Sequence, residues 1–186
     1  MEALFTETFI AAFIFGAITA GIPLLLAGLG EQVSEKAGVL NIGLEGMMLT
    51  GAYVGFVVAY LADSFFLGFL AGGLAGMATA LLMVLLCVFW SMNQIVVGIA
   101  ITLGAEGLTA LHHHFQFSRS YPRLSKAETL PLPGLSELPY LGEALFNRNA
   151  LVYLAILLAF ALLWVFRRSQ FGLNLAQLIS RFRLVL

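Results

Sequence analysis

The chain has 186 residues, of which 61% are hydrophobic and only 10% are charged, and its mean hydropathy is +0.98. Soluble domains carry about 25% charged residues, so a water-soluble fold of this length would lack the polar side chains needed to cover its surface. The formal net charge of −1, without a basic stripe, argues against nucleic-acid binding. The composition therefore predicts an all-α protein that spans a lipid bilayer.

Five apolar segments predict a polytopic transmembrane helix bundle that forms one transmembrane domain. Each is close to the length of about 20 residues that crosses about 30 Å of hydrocarbon. The segments are residues 4–29, 39–61, 65–90, 95–111 and 150–166. Residues 112–149 hold four of the five prolines and many charged residues, which predicts an extramembrane loop.

Basic residues predict the orientation, although they are divided between the end of the chain and the loop of residues 112–149, which holds four of them. Short flanks count more than long loops. Arg167 and Arg168, followed by Arg181 and Arg183, place residues 167–186 in the cytoplasm as a tail. Five crossings then place the N-terminus outside, although a re-entrant first or second segment would reverse that end. The first segment is predicted to be a membrane helix and not a signal peptide, because no basic region precedes it and its apolar run is too long.

Small residues predict how the helices pack. In the third segment Gly68, Gly72, Gly76 and Ala80 recur every four residues, so they line one helix face that a neighbouring backbone can approach closely. Such a face fits both ordinary bundle packing and a mobile helix interface in a transporter. The same spacing recurs in the first segment at Ala12, Gly16 and Ala20, and in the second at Gly51, Gly55 and Ala59.

Polar side chains inside the apolar segments are candidate functional residues, because a central charge costs about 2.5–3.5 kcal/mol on insertion scales. Asn41 and Glu45 are four residues apart and would share one face of a helix. They would either line a cavity or orient the start of the second span near the membrane interface. Glu106 lies near the middle of the fourth span. It would contact substrate or ion in a cavity, or form a neutral carboxyl bonded to a neighbouring helix.

The chain shows no catalytic or metal-binding pattern. His112, His113 and His114 are adjacent, so on a helix they point in different directions, which favours a polar boundary over a metal site. Cys87 lies in an apolar run and is expected to be inert. No nucleophile elbow and no phosphate-binding loop occurs in the sequence. We therefore expect no cofactor, no metal and no enzyme activity, and the triple histidine is the only hint of a membrane-embedded enzyme.

Three sequence segments carry a resemblance to a known family. Residues 35–53 read EKAGVLNIGLEGMMLTGAY, residues 93–101 read NQIVVGIAI and residues 168–173 read RSQFGL. In this order they resemble the second-segment signature, the start of the fourth segment and the start of the cytoplasmic coupling region of permease subunits of ATP-binding-cassette (ABC) importers. The chain looks most similar to the nucleoside branch of the superfamily that includes simple-sugar and branched-chain amino-acid permeases.

The resemblance implies a multi-pass permease of the bacterial inner membrane that moves nucleosides or related small polar solutes by ATP-driven alternating access. Simple sugars or branched-chain amino acids are alternative cargoes, and a secondary transporter or channel subunit is the alternative class. The implied partners are a second permease subunit, an ABC ATPase that hydrolyses the ATP, and an extracytoplasmic substrate-binding lipoprotein.

The resemblance also implies roles for individual residues. The candidates for the substrate path are Asn41, Glu45, Asn93 and Gln94, to which the intramembrane position of Glu106 adds a fifth. The candidates for coupling to the ATPase are Arg167, Arg168, Phe171, Gly172 and Leu173.

Two features depart from the family pattern. Residues 174–180 do not match the continuation of the coupling region, and such permeases are longer, so we expect a truncated or frame-shifted product or a fragment with an incomplete coupling region. Glu106 stands where an apolar or small residue is expected in related permeases.

Overall fold

A computed structural model describes residues 7–36, 38–118, 122–124, 129–131 and 147–168. The regular elements of this part of the chain are helices, apart from one two-stranded antiparallel ribbon. The elements in chain order are α1 (Glu7–Lys36), α2 (Leu44–Ala62), α3 (Phe65–Val84), a π-helix (Leu85–Phe89), α4 (Gln94–Phe117), β1 (Thr129–Pro131), β2 (Asn147–Asn149) and α5 (Ala150–Arg168).

Four helical segments are long and apolar enough to cross a membrane. They are Ala12–Lys36, Leu44–Ala62, Phe65–Phe89 and Gln94–Phe117, and a shorter apolar helix, Val152–Trp164, lies within α5. Helices satisfy every backbone hydrogen-bonding group internally, which hydrocarbon requires. The predicted all-α bundle of about five spans is confirmed.

Three helix boundaries differ by five or more residues from those predicted. The first span was expected to end at residue 29, but α1 continues through the polar residues that follow, to Lys36. The second span was expected from residue 39, but residues 38–43 are not helical, because Gly38 has a φ of 77° and α2 begins only after Gly43. Asn41 and Glu45 therefore do not share a helix face, and that expectation is wrong. The fourth span was expected to end at residue 111, yet α4 continues to Phe117, because histidine is compatible with a helix.

The structure divides into two units, one formed by residues 1–37 with 127–186 and the other by residues 38–126. In the first unit α1 packs against α5, and Thr129 pairs with Asn149 in the ribbon. A Cβ added at Gly16 would meet no atom within 4 Å. The predicted small-residue face of the first span thus has no packing partner at Gly16 among the described residues.

In the second unit, α2 and α3 form an antiparallel hairpin that turns at Asp63 and Ser64. Asp63 adopts a left-handed conformation with a φ of 45°, and the Ser64 hydroxyl caps α3 by accepting a hydrogen bond from the Leu67 N–H at 3.4 Å. The connection is short, so the two helices lie side by side along their length.

Glycines bring the α2 and α3 backbones into contact. A Cβ on Gly51 would lie 2.9 Å from the Gly72 carbonyl oxygen, and a Cβ on Gly68 would lie 2.7 Å from the Gly55 carbonyl oxygen. A Cβ on Gly76 would lie 3.6 Å from the Met47 carbonyl oxygen. Close approach of this kind supplies the dispersion energy that associates helices in lipid.

The core of the second unit lies where α2, α3, the π-helix and α4 meet. Its buried side chains are Met47, Met83, Cys87, Val97 and Ile101. Cys87 is a free, buried cysteine.

The hairpin contact is tested by a pair of adjacent glycines on α3. Gly72 faces α2, where its Cβ would lie 2.7 Å from the Gly51 carbonyl oxygen, whereas a Cβ on Gly73 would meet nothing within 4 Å. We expect Gly72→Ala to lower stability by about 1–3 kcal/mol through overpacking. Gly73→Ala is the matched control, and its higher helix propensity should leave stability unchanged or raise it by up to about 1 kcal/mol. Thermal unfolding in detergent measures both, and equal effects of the two variants would contradict the contact.

Candidate functional site

Two segments that are far apart in the sequence meet at one end of the second unit. The loop of residues 38–43 lies against the first turns of α4, and the Leu40 N–H donates a hydrogen bond to Gln94 Oε1 at 2.8 Å across a separation of 54 residues. These segments belong to the two stretches, residues 35–53 and 93–101, that carry the family resemblance. The structure therefore joins them into one site.

Glycines again set the distance between the two segments. A Cβ on Gly98 would lie 2.8 Å from the Gly43 backbone nitrogen, and a Cβ on Gly46 would lie 2.8 Å from Thr102 Cα. Neither position has room for a larger residue without a backbone shift. The loop and the start of α2 are thus held against α4 by main-chain contact.

The side chains of Asn93 and Gln94 hold backbone groups at this end. Asn93 Oδ1 accepts hydrogen bonds from the N–H groups of Ile95 at 2.9 Å and Val96 at 3.3 Å, so Asn93 is the N-cap of α4. Gln94 Oε1 accepts the hydrogen bond from the Leu40 N–H. Both candidates for the substrate path therefore have a structural role that the sequence did not reveal.

The other two candidates at this end differ in their surroundings. Asn41 is half-buried in the loop, and its amide group contacts Met47 Sδ at 3.5 Å. Glu45 is exposed in the first turn of α2, where the helix dipole favours a carboxylate. The structure places Asn41, Glu45, Asn93 and Gln94 at the same end of the unit.

A π-helix, which was not predicted, precedes α4 in the chain. In the segment Leu85–Phe89 the helix widens, and the Trp90 N–H donates to the Leu85 carbonyl oxygen at 3.2 Å. The turn places Cys87 in the core beside Met83, and Ser91 follows with a φ of 52°. π-turns within α-helices occur frequently at functional sites, but the sequence LLCVF carries no signal for one.

Aromatic rings and histidines meet between the second half of α2 and the last two turns of α4. The Tyr53 hydroxyl hydrogen-bonds to His112 Nδ1 at 2.8 Å, and the Tyr60 and Phe117 rings lie 5.5 Å apart. His113 lies 5.1 Å from Phe117 between ring centroids. These contacts and those at Gly46 show that α2 and α4 run parallel.

Within the described ranges no three His, Cys, Asp or Glu side chains are grouped closely enough to hold a metal ion.

Glu106 is separate from both ends. It is exposed on α4, twelve residues after Gln94. Among the residues that the structure describes, its carboxyl group forms no hydrogen bond or ion pair.

The structure describes only two of the five residues predicted to couple the chain to the ATPase. Arg167 and Arg168 are the last two residues of α5. Phe171, Gly172 and Leu173 lie outside the described residues.

Comparison with known proteins identifies the family. Residues 13–179 match the family described as the permease component of the branched-chain amino acid transport system. The chain belongs to this permease family. The match includes both segments of the contact between residues 38–43 and α4. The family is one of transport permeases and not of enzymes, in agreement with the prediction for this chain. With the apolar helices, it confirms the predicted location as a multi-pass protein of the cytoplasmic membrane.

Three relatives of the chain are named for the solutes that they transport. A protein of Haloferax volcanii named "Putative glucose ABC transporter permease protein" is 42% identical over 90% of the chain and 51% of its own length. A guanosine ABC transporter permease protein of Bacillus subtilis is 31% identical over 82% of the chain and 51% of its own length. A nucleoside ABC transporter permease protein of Lactococcus lactis is 28% identical, with the same coverage of both chains.

The chain spans about half the length of these relatives. No solved structure matches it.

The bond between Gln94 and Leu40 can be tested by hydrogen exchange. We expect Gln94→Ala to speed exchange at the Leu40 amide about five-fold, since it removes one hydrogen bond of about 1 kcal/mol. Gln94→Glu keeps an acceptor oxygen and should retain protection. Hydrogen-exchange mass spectrometry of a peptide that covers residues 38–43 measures the exchange rate in both variants. An unaltered rate in Gln94→Ala would contradict the hydrogen bond.

Proposed function

We propose that this chain is membrane-spanning permease machinery of an ABC importer, and that it moves nucleosides or related neutral, hydroxylated solutes into the cell. The observation that carries the proposal is the family match over residues 13–179, which includes the two segments held together by Gln94. Two of the relatives are named for guanosine and nucleosides.

Glucose is the second candidate cargo. The relative with 42% identity is named for glucose, and a further glucose ABC transporter permease protein of Haloferax volcanii is 32% identical over 75% of the chain. Glucose and nucleosides are both neutral and carry neighbouring hydroxyl groups, so one type of polar path serves both.

The proposal assigns three partners to the chain. The sequence contains no phosphate-binding loop, so ATP binding and hydrolysis belong to a separate ABC ATPase. A second permease subunit completes the membrane part, and an extracytoplasmic substrate-binding lipoprotein delivers the cargo. The relatives support this assignment because they are named as ABC transporter permease proteins.

The packing of the second unit suggests how motion passes through it. Backbone contacts at Gly46, Gly51, Gly55, Gly68 and Gly72 lock α2 to both α3 and α4. We infer that these three helices move as one body during alternating access. The ATPase would drive that motion through the tail that begins at Arg167 and Arg168, on the cytoplasmic side as the basic residues predict.

The energy source is tested by uptake of labelled guanosine and labelled glucose into cells that express the complete transport system. We expect uptake to fall to the level of cells without this gene when ATP is depleted. A protonophore that leaves ATP intact should spare most of the uptake. Uptake that continues without ATP would instead identify a secondary transporter if the protonophore stops it, or a channel if the protonophore does not.

The coupling role of the tail is tested by replacing segments of equal length. Replacement of residues 168–173 with glycine and serine should abolish copurification of the ATPase and leave membrane insertion unchanged. Replacement of residues 181–186 in the same way is the control and should retain most of the ATPase. Equal retention by the two variants would show that coupling lies elsewhere.

A further inference from the structure

Four polar residues form a stripe along the apolar helix α4. Thr102, Glu106, Thr109 and His113 are separated by four, three and four residues, so at 3.6 residues per turn they share one face. The stripe extends over about 16 Å at about 1.5 Å per residue. Glu106 lies about 18 Å from Gln94, near the middle of the segment that is long enough to cross the membrane.

Helix α2 contacts both ends of this stripe. At one end a Cβ on Gly46 would lie 2.8 Å from Thr102 Cα, and at the other end the Tyr53 and His113 rings lie 6.2 Å apart. Thr102, Thr109 and His113 are half-buried, whereas Glu106 between them is exposed. The stripe therefore follows the margin of the contact between α2 and α4.

The hydroxyl protons of the two threonines are already used by the backbone. Thr102 Oγ1 donates to the Gly98 carbonyl oxygen at 3.2 Å, and Thr109 Oγ1 donates to the Ala105 carbonyl oxygen at 2.7 Å. A hydroxyl has one donor and two acceptor positions, so each threonine presents acceptors to its surroundings. An ionised Glu106 also presents only acceptors. The middle of the stripe is thus suited to a ligand that donates hydrogen bonds.

Lipid cannot be the neighbour of such a stripe, because a carboxyl in hydrocarbon costs free energy and intramembrane ionisable residues face a bundle interior or a water-filled cavity. We propose that the stripe lines the aqueous translocation path and that Glu106 binds neighbouring hydroxyl groups of the cargo. This inference rests on the proposed function. It makes Glu106, flanked by Thr102 and Thr109, a determinant of selectivity for a cargo with a 1,2-diol.

Cysteine accessibility tests whether water reaches the stripe. Cys87 is the only cysteine of the chain and is buried, so Cys87→Ala gives a chain without thiols, and labelling is read on this chain after it is separated from its partners. Glu106→Cys and Thr109→Cys in that background probe the stripe. Leu108→Cys and Leu111→Cys are matched controls, because those leucines are exposed on other faces of α4 at similar depth.

The assay uses the complete transport complex in vesicles, with a charged methanethiosulfonate supplied on both sides. Stripe cysteines should react at least about ten times faster than the controls, because the thiolate is the reactive form and an apolar environment keeps a thiol protonated. Guanosine should protect Thr109→Cys, and 2′-deoxyguanosine, which lacks the diol, should not. Adding Glu106→Gln should raise the half-protecting guanosine concentration about ten-fold or more, since bonds to charged acceptors are the stronger ones.

The outcomes separate this inference from the proposed function. Stripe cysteines that react as slowly as the controls, when the unmodified complex performs ATP-driven uptake, would overturn the inference and leave the proposed function intact. Rapid labelling without guanosine protection, or equal protection by the deoxy analogue, would overturn the assignment of the diol to Glu106. Loss of the proposed function would appear earlier, as absence of ATP-driven uptake by the unmodified complex.

Discussion

Backbone contact at glycine is the constraint on which the second unit depends. Helices in lipid gain nothing from the hydrophobic effect between them, so they associate through close packing. Helix α2 uses two different faces for this purpose. Gly46 lies against α4, and Gly51 and Gly55 lie against α3. Because carbonyl oxygens and Cα atoms occupy the places where Cβ atoms would stand, the three helices fit in one register, and a sliding movement between them would meet backbone within a fraction of a turn.

The loop before α2 takes its position from the same constraint. Gly43 and Gly98 bring the loop so close to α4 that the Leu40 amide reaches the Gln94 side chain. Asn93 meanwhile caps the helix on which Gln94 stands. The residues that carry the family resemblance at this end therefore hold backbone in place, which is a structural reason for polar side chains here that is independent of cargo contact. The resemblance selected two segments that meet at one place in the fold, without revealing this role.

Hydropathy predicted the spans because the composition leaves almost no alternative to helices in a bilayer. Hydropathy gave a wrong helix boundary where apolar residues form a loop. Residues 39–43 are mostly apolar, so hydropathy extended the span over them, whereas the turn depends on the positive φ of Gly38 and on packing against α4. The expected shared face of Asn41 and Glu45 failed for this reason. Likewise the π-helix at Leu85–Phe89 and the bond between Leu40 and Gln94 depend on tertiary contacts, and neither leaves a local pattern.

The rigid fit of α2, α3 and α4 constrains how a path along the polar stripe could open. Both ends of the stripe contact α2, at Gly46 and at Tyr53, so α2 cannot withdraw from the stripe without losing the backbone contact between Gly46 and Thr102. If the stripe lines the path, as proposed, movement of other parts of the transport complex would open and cover it. In that arrangement Glu106 stays fixed relative to Thr102 and Thr109, and the cargo meets the same acceptors whether the path opens to one side of the membrane or to the other. Alternating access would change which solution reaches the stripe and would leave the recognition chemistry unchanged.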